Sequence, residues 1–210
     1  MGTLVRKYAA IEPIAIFVLI MAYIWDLRYS CQHFWMVILA LMLLSHRLRR
    51  ERAAAIGFQS RNLRQCMEHF APALILFALL LLGGGLLLQT TRPIRFEEGL
   101  VAWMAYVPWG VFQQYVLNGY FFNRVHRLVS ARSAPLVSAA LFSGVHVPNW
   151  FLMVITLVMG YCCAQIYKRY QNLYFLGFAH ATLGFLLYLV IPDSISHHLT
   201  VGPGWFRHSY

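Results

Sequence analysis

Residues 70–89 read FAPALILFALLLLGGGLLLQ, a stretch of twenty positions without a charged side chain. At about 1.5 Å per residue, a helix of this length reaches ~30 Å, which is the thickness of the hydrocarbon core of a bilayer. The rest of the chain is similar, because 60% of its 210 residues are hydrophobic and 11% are charged. The sequence therefore predicts an all-α transmembrane helical bundle, in which lipid surrounds many of the apolar side chains.

Charges, prolines and glycines divide the chain into about seven predicted helices within a single membrane domain, residues 1–210. The basic start and following apolar run imitate a secretory signal peptide, but no small-residue cleavage site follows, so we expect the first helix to be retained. The predicted helices cover residues 9–25, 32–45, 70–89, 99–123, 133–147, 150–167 and 173–192.

The net charge of +10 comes from Lys and Arg residues that are spread between the apolar segments. They form no single basic face, so nucleic acid is not an expected partner. If the N-terminus is cytoplasmic, thirteen cationic residues lie inside and four lie outside. This asymmetry obeys the positive-inside rule and predicts a multi-pass protein with a cytoplasmic N-terminus. The four outside residues are Arg28, Arg92, Arg95 and Arg207.

Neutral polar side chains interrupt the apolar segment at residues 112–125, which reads FQQYVLNGYFFNRV. Gln114 and Asn118 are four residues apart and share a helix face, while Gln113 lies on the flank of that face. Amides in membrane helices often act as hydrogen-bond contacts between helices, so this stripe has a structural as well as a functional interpretation.

Two histidines lie in later apolar segments. In LFSGVHVPNW, His146 follows Phe142 by four residues and precedes a reversal at Pro148. In FLGFAHATLGF, His180 shares a face with Gly184, and small residues on that face admit a neighbouring helix, water or ligand. Counting residues along straight helices places His146 about 8 Å further out than His180, so a tilted or displaced fifth helix is needed to bring them together.

These motifs resemble those of the CPBP or Abi membrane proteins, which include type II CAAX prenyl endopeptidases and bacteriocin self-immunity proteins. That family has EExxxR, FxxxH and HxxxN motifs in this order, and residues 100–190 contain QQYVLN, FSGVH and HATLG. The resemblance implies a catalytic site at Gln113, Gln114, Asn118, His146 and His180. Phe142 and Gly184 are secondary candidates on the same basis.

The resemblance also implies a bacterial inner (plasma) membrane location, and a membrane-anchored or prenylated peptide or protein as substrate, with membrane lipids as neighbours. Gln113 and Gln114 occupy the positions of the family's two glutamates, and Asn118 that of its arginine. A neutral amide cannot serve as a general base near neutral pH. Glu12 is the remaining carboxylate in a predicted span, and a histidine is an alternative base.

No cofactor follows from these residues. His146 and His180 are the candidates for holding a divalent metal, but amides are poor replacements for a carboxylate ligand. Three functions stay open. They are a CAAX-protease-like endopeptidase with an atypical site, a catalytically inactive relative that binds membrane peptides as an immunity or chaperone-like module, and a small transporter.

Overall fold

The computed structural model describes residues 3–207, with side chains from residue 9 onward. The described part is helical and contains no β-strand, which confirms the predicted all-α class. We number nine helices, of which α1 and α4 contain π-helical turns. They are α1 (Thr3–Ala22, continuing through Tyr23–Leu27 to Arg28–Ser30), α2 (Phe34–Leu48), α3 (Leu63–Leu87), α4 (Phe96–Gln114, continuing through Tyr115–Phe122 to Asn123–Val125), α5 (Ala134–Gly144), α6 (Trp150–Tyr170), α7 (Leu173–Val190), α8 (Asp193–Ser196) and α9 (Pro203–Arg207).

Each of the seven predicted segments overlaps one of the helices α1 to α7. The largest difference is at α3, which begins at Leu63, seven residues before the predicted start. This additional turn contains an ion pair between Arg64 Nε and Glu68 Oε1 at 2.8 Å. The helix therefore continues beyond its apolar part as a charged, exposed turn, which an apolar-run criterion does not detect.

Within the described residues, four helical segments are long and apolar enough to cross a membrane, which makes the chain an integral membrane protein. α2 has 15 residues and α5 has 11, so they reach about 22 Å and 16 Å respectively. Seven crossings and a cytoplasmic N-terminus stay predictions. The four segments are Ala9–Ser30, Leu63–Leu87, Trp150–Tyr170 and Leu173–Val190.

Loops from distant parts of the chain meet on one face of the bundle. Lys168 Nζ, near the end of α6, donates to the carbonyl oxygen of Ala131 in the α4–α5 loop at 3.0 Å. Asn172, which caps α7, donates to the carbonyl oxygen of Gln59 in the α2–α3 loop at 2.9 Å. We call this side, formed by residues 49–62, 126–133 and 168–172, the arginine-rich face.

The opposite face contains the end of α1, the α5–α6 turn and the C-terminal helices. Asn149, which is fully buried, accepts from the backbone N–H of Leu152 and so caps α6. Its Nδ2 also donates to the carbonyl oxygens of Ser196 and Thr200. The backbone N–H of Gly202 donates to the carbonyl oxygen of Val147 at 3.0 Å. These bonds fix the C-terminal helices over the α5–α6 turn.

Candidate active site

A π-helical turn in α4 positions the central amides. The winding changes at Tyr115, directly after Gln114, and stays π-helical through Phe122. Gln114 is 1% exposed and Asn118 is fully buried. Asn118 Nδ2 donates to Gln114 Oε1 at 2.7 Å. The two amides therefore form a buried hydrogen-bonded pair, within a type of helical turn that is frequent at functional sites.

A hydrogen bond connects the amide pair to His180 on α7. Gln114 Nε2 lies 3.2 Å from His180 Nδ1. Because Gln114 Oε1 accepts from Asn118, the Gln114 amide group faces the ring as a donor and Nδ1 accepts. In a neutral imidazole the proton then lies on Nε2. His180 thus has an N–H donor that this chain of hydrogen bonds orients.

His146 has the opposite tautomer. Its Nδ1 lies 2.7 Å from the carbonyl oxygen of Phe142, and a carbonyl can only accept, so Nδ1 carries the proton. The neutral ring therefore has a free lone pair on Nε2. The Phe142 ring lies between the two histidines, with its centroid 5.1 Å from that of His146 and 6.4 Å from that of His180.

Both histidines line a cavity of about 1140 Å³ between α1, α2, α4, α5, α6 and α7. This volume exceeds the roughly 300–1,000 Å³ that small-molecule sites occupy, so the cavity can accommodate a peptide segment. No Asp or Glu among the described residues lines it. Gln113, Gln114, His146 and His180 lie in its wall together with Thr156 and one cation, Arg28, and most of the remaining wall is apolar or aromatic.

Gln113, Phe142 and Gly184 also line this cavity, whereas Asn118 does not. Gln113 is half-buried, and its amide has no hydrogen-bond partner among the described residues. Gly184, a secondary candidate from the family resemblance, has little space beside it, because a Cβ there would lie 3.0 Å from Cε1 of Tyr106. Tyr106 therefore fills the space next to Gly184. The sequence interpretation did not include Tyr106, although it lies seven residues, or two helical turns, before Gln113.

The structure does not bring Glu12 to the cavity. Its Oε1 accepts from Arg124 Nε at 2.9 Å and also from Ser45. Arg124, whose side chain is 2% exposed, pairs through Nη2 with Glu51 Oε2 at 3.0 Å. His46 is hydrogen-bonded to the same carboxylate. We call these five residues the buried ion cluster, which lies beneath the arginine-rich face.

The electrostatics of the buried ion cluster indicate a structural role. Burial raises the pKa of Glu51, but hydrogen bonds from Arg124 and His46, with the charges of Arg124 and Arg127, outweigh this and hold its pKa below the usual value. Burial lowers the pKa of Arg124, and its two carboxylate partners raise it above the usual value. Each ion therefore stabilises the charged form of its neighbours, so the two carboxylates are held in ion pairs with Arg124.

The residues in the cavity do not fit a catalytic metal centre. The described residues contain no group of three or more His, Cys, Asp or Glu side chains that could hold a metal ion. Catalytic zinc sites use three protein ligands, and the cavity offers two imidazoles with neutral amides beside them. We therefore derive no reaction step through a metal.

The fold and the cavity are those of a helical membrane protein with a polar site enclosed between its helices. Residues 95–186 match the family model described as type II CAAX prenyl endopeptidase Rce1-like. This segment, which covers α4 to α6 and most of α7, belongs to the CPBP/CAAX family, so the predicted family is confirmed. No curated protein and no solved structure matches the chain.

Proposed function

We propose that the chain is an intramembrane endopeptidase that cleaves membrane-anchored or lipidated peptides without a carboxylate base. The observation that carries this proposal is the pair of opposite histidine tautomers. The carbonyl oxygen of Phe142 leaves Nε2 of His146 free to accept a proton. The amide of Gln114 leaves Nε2–H of His180 free to donate. Both histidines line the same cavity, so a general base and an oxyanion donor are available in it.

In the proposed reaction, Nε2 of His146 takes a proton from a water molecule as its oxygen attacks the scissile carbonyl carbon. Nε2–H of His180 donates a hydrogen bond to the oxyanion that forms. The tetrahedral intermediate then expels the amine, which receives the proton from the His146 imidazolium. Asn118 and Gln114 are positioning residues, because their hydrogen bonds fix the donor direction of His180.

The first test is cleavage of membrane-anchored and prenylated peptides by the purified protein in liposomes. We expect His146→Ala to lower kcat by about 10²- to 10⁴-fold and His180→Ala by about 10²- to 10³-fold. His126→Ala is the matched control, since His126 is exposed and does not line the cavity. Cleavage that persists in both cavity variants would refute these roles.

The absence of a carboxylate from the described cavity wall favours a second candidate function, a non-catalytic module that binds membrane peptides. Neutral amides can both donate to and accept from a peptide backbone. This alternative predicts peptide binding without cleavage by the native chain. It also predicts that cleavage appears only when Gln113→Glu, Gln114→Glu and Asn118→Arg are combined.

A second test concerns the tautomer on which the mechanism depends. In Gln114→Glu a carboxylate can only accept, so the proton of His180 moves to Nδ1 and its Nε2 becomes an acceptor. Nitrogen-15 NMR of histidine-labelled protein distinguishes the two ring nitrogens. A native spectrum with the His180 proton on Nδ1 would contradict the proposed role of this residue.

A further inference from the structure

The cavity occupies only the half of the bundle that is remote from the arginine-rich face. From α1 it is lined by residues 20–28 and not by the first turns, where Glu12 lies. From α6 it is lined by residues 152–163 and not by the end that carries Lys168. α7 contributes residues 179–188 and not its start at residue 173. On each of these helices, the residues that line the cavity therefore lie at the end nearer the opposite face.

Side chains fill the half beneath the arginine-rich face. Tyr120, Tyr167 and Leu173 are fully buried, and Leu176 is 1% exposed. The buried ion cluster lies in the same half. It joins α4 to α1 through the salt bridge of Arg124 with Glu12, and to α2 through hydrogen bonds of Arg124 with Ser45 and His46. Interiors packed in this way contain few spaces larger than a water molecule. A substrate therefore has no open route to the histidines from the arginine-rich face.

The rim of the cavity at the opposite face carries positive charge. Arg28 lines the cavity, and its Nη2 lies 3.5 Å from the carbonyl oxygen of Val201. The guanidinium carbons of Arg28 and Arg207 lie 4.7 Å and 5.1 Å from the centroid of the Tyr29 ring. Asp26, two residues before Arg28 in the sequence, is exposed. Neither arginine forms an ion pair with a carboxylate in the described part of the chain.

We propose that the substrate enters from the face opposite the arginine-rich loops and that Arg28 binds its C-terminal carboxylate. This inference rests on the proposed function, because that function identifies the bound molecule as a peptide. A carboxylate is costly to bury among neutral amides and apolar side chains, whereas a guanidinium at the rim provides bidentate hydrogen bonds. By the positive-inside rule, this entry face is the non-cytoplasmic one.

The side of entry is tested by thiol labelling, which does not require cleavage. Met159→Cys places a reporter on the cavity wall, in a chain whose four native cysteines are replaced. Two controls report the faces: restored Cys31, which is exposed after α1, and Arg52→Cys, which is exposed in the α2–α3 loop. A membrane-impermeant maleimide is applied to right-side-out and to inside-out vesicles.

We expect the reporter at position 159 to be labelled from the same side as Cys31 and from the side opposite to Arg52→Cys. Labelling from the side of Arg52→Cys would overturn the inference. Failure to label from either side would also overturn it, because the cavity would then be closed to water at the opposite face. Either result would leave the cleavage assay to decide the proposed function independently.

The carboxylate is tested by protection of the same reporter with lipidated peptides that end in a free carboxylate or in an amide. We expect the free carboxylate to protect at about 10- to 100-fold lower concentration, as for a charge-assisted hydrogen bond. Arg28→Gln should abolish this preference, and Arg28→Lys should retain part of it. Equal protection by both peptides would overturn the assignment. So would protection that follows the phosphatidylglycerol content of the vesicles, because Arg28 would then bind lipid.

Discussion

The hydrogen bond between Gln114 and Asn118 predicts a measurable coupling in stability. Asn118 is fully buried, and its Oδ1 has no partner among the described residues, so the 2.7 Å bond to Gln114 is the hydrogen bond its side chain makes. Replacing one partner by leucine leaves the other amide buried and unsatisfied. Each single variant, Gln114→Leu or Asn118→Leu, should therefore lose about 1–3 kcal/mol in free energy of unfolding.

The double variant should lose much less than the sum of the two single variants. Replacing both partners of a buried hydrogen bond by apolar groups of similar size can be nearly neutral, so we expect a coupling energy of about 1–3 kcal/mol. Thermal unfolding of the protein in lipid nanodiscs measures all four members of the cycle. Strictly additive losses would show that the two amides do not stabilise each other and would refute the hydrogen-bond chain.

Activity should not follow stability in this cycle. Gln114→Leu removes the donor that sets the tautomer of His180, so kcat should fall by about 10²- to 10³-fold in the single and in the double variant, as for a lost oxyanion donor. Asn118→Leu keeps the Gln114 amide and should retain more activity. A double variant that regains both stability and full activity would show that His180 does not depend on Gln114.

Three further predictions concern packing and charge. Arg124→Met should cost about 3–5 kcal/mol in free energy of unfolding because it leaves buried carboxylates unpaired, whereas Arg127→Met, at a half-exposed side chain, should cost no more than about 1 kcal/mol. Because the folded pKa of Glu51 is lowered, the stability that its ionised form contributes is fully present above its unfolded pKa and is lost as pH falls through the folded pKa. The melting temperature should therefore decline on acidification, and it should decline less in Glu51→Gln. Gly177→Val should destabilise the fold by about 1–3 kcal/mol, since a Cβ there would lie 2.6 Å from the backbone of α4. Gly83 has open space around it, so Gly83→Val should change stability by less than about 1 kcal/mol in the same melting assay.

Local spacing predicted two of the short-range contacts correctly. Gln114 and Asn118 are four residues apart, and this spacing predicted a shared face even though the helix winds as a π-helix between them. The small residue Gly184, on the face of His180, predicted space for a neighbouring helix, water or ligand, and Tyr106 of α4 lies there. Both inferences depend on contacts within about one helical turn, which are the contacts that residue spacing determines.

Depth and long-range pairing could not be predicted in this way. Counting along a straight fifth helix separated His146 from His180, but α5 ends at Gly144, so the position of His146 is set by a turn and not by helical rise. The buried ion cluster joins Glu12 to Arg124, which are 112 residues apart in sequence. No periodicity connects such positions, because their contact depends on how three helices pack.

The candidate site differs from the buried ion cluster in how its polar groups are satisfied. The buried ion cluster pairs Arg124 with Glu12 and Glu51, whereas Gln113, Gln114 and Asn118 carry no charge. A single glutamate at position 114 would be a buried anion whose neighbour Asn118 is neutral, and an uncompensated buried charge is costly. Restoring a carboxylate therefore requires the cation at position 118 as well. In the native chain the direction of each hydrogen bond, and not a charge, gives one histidine a lone pair and the other a proton.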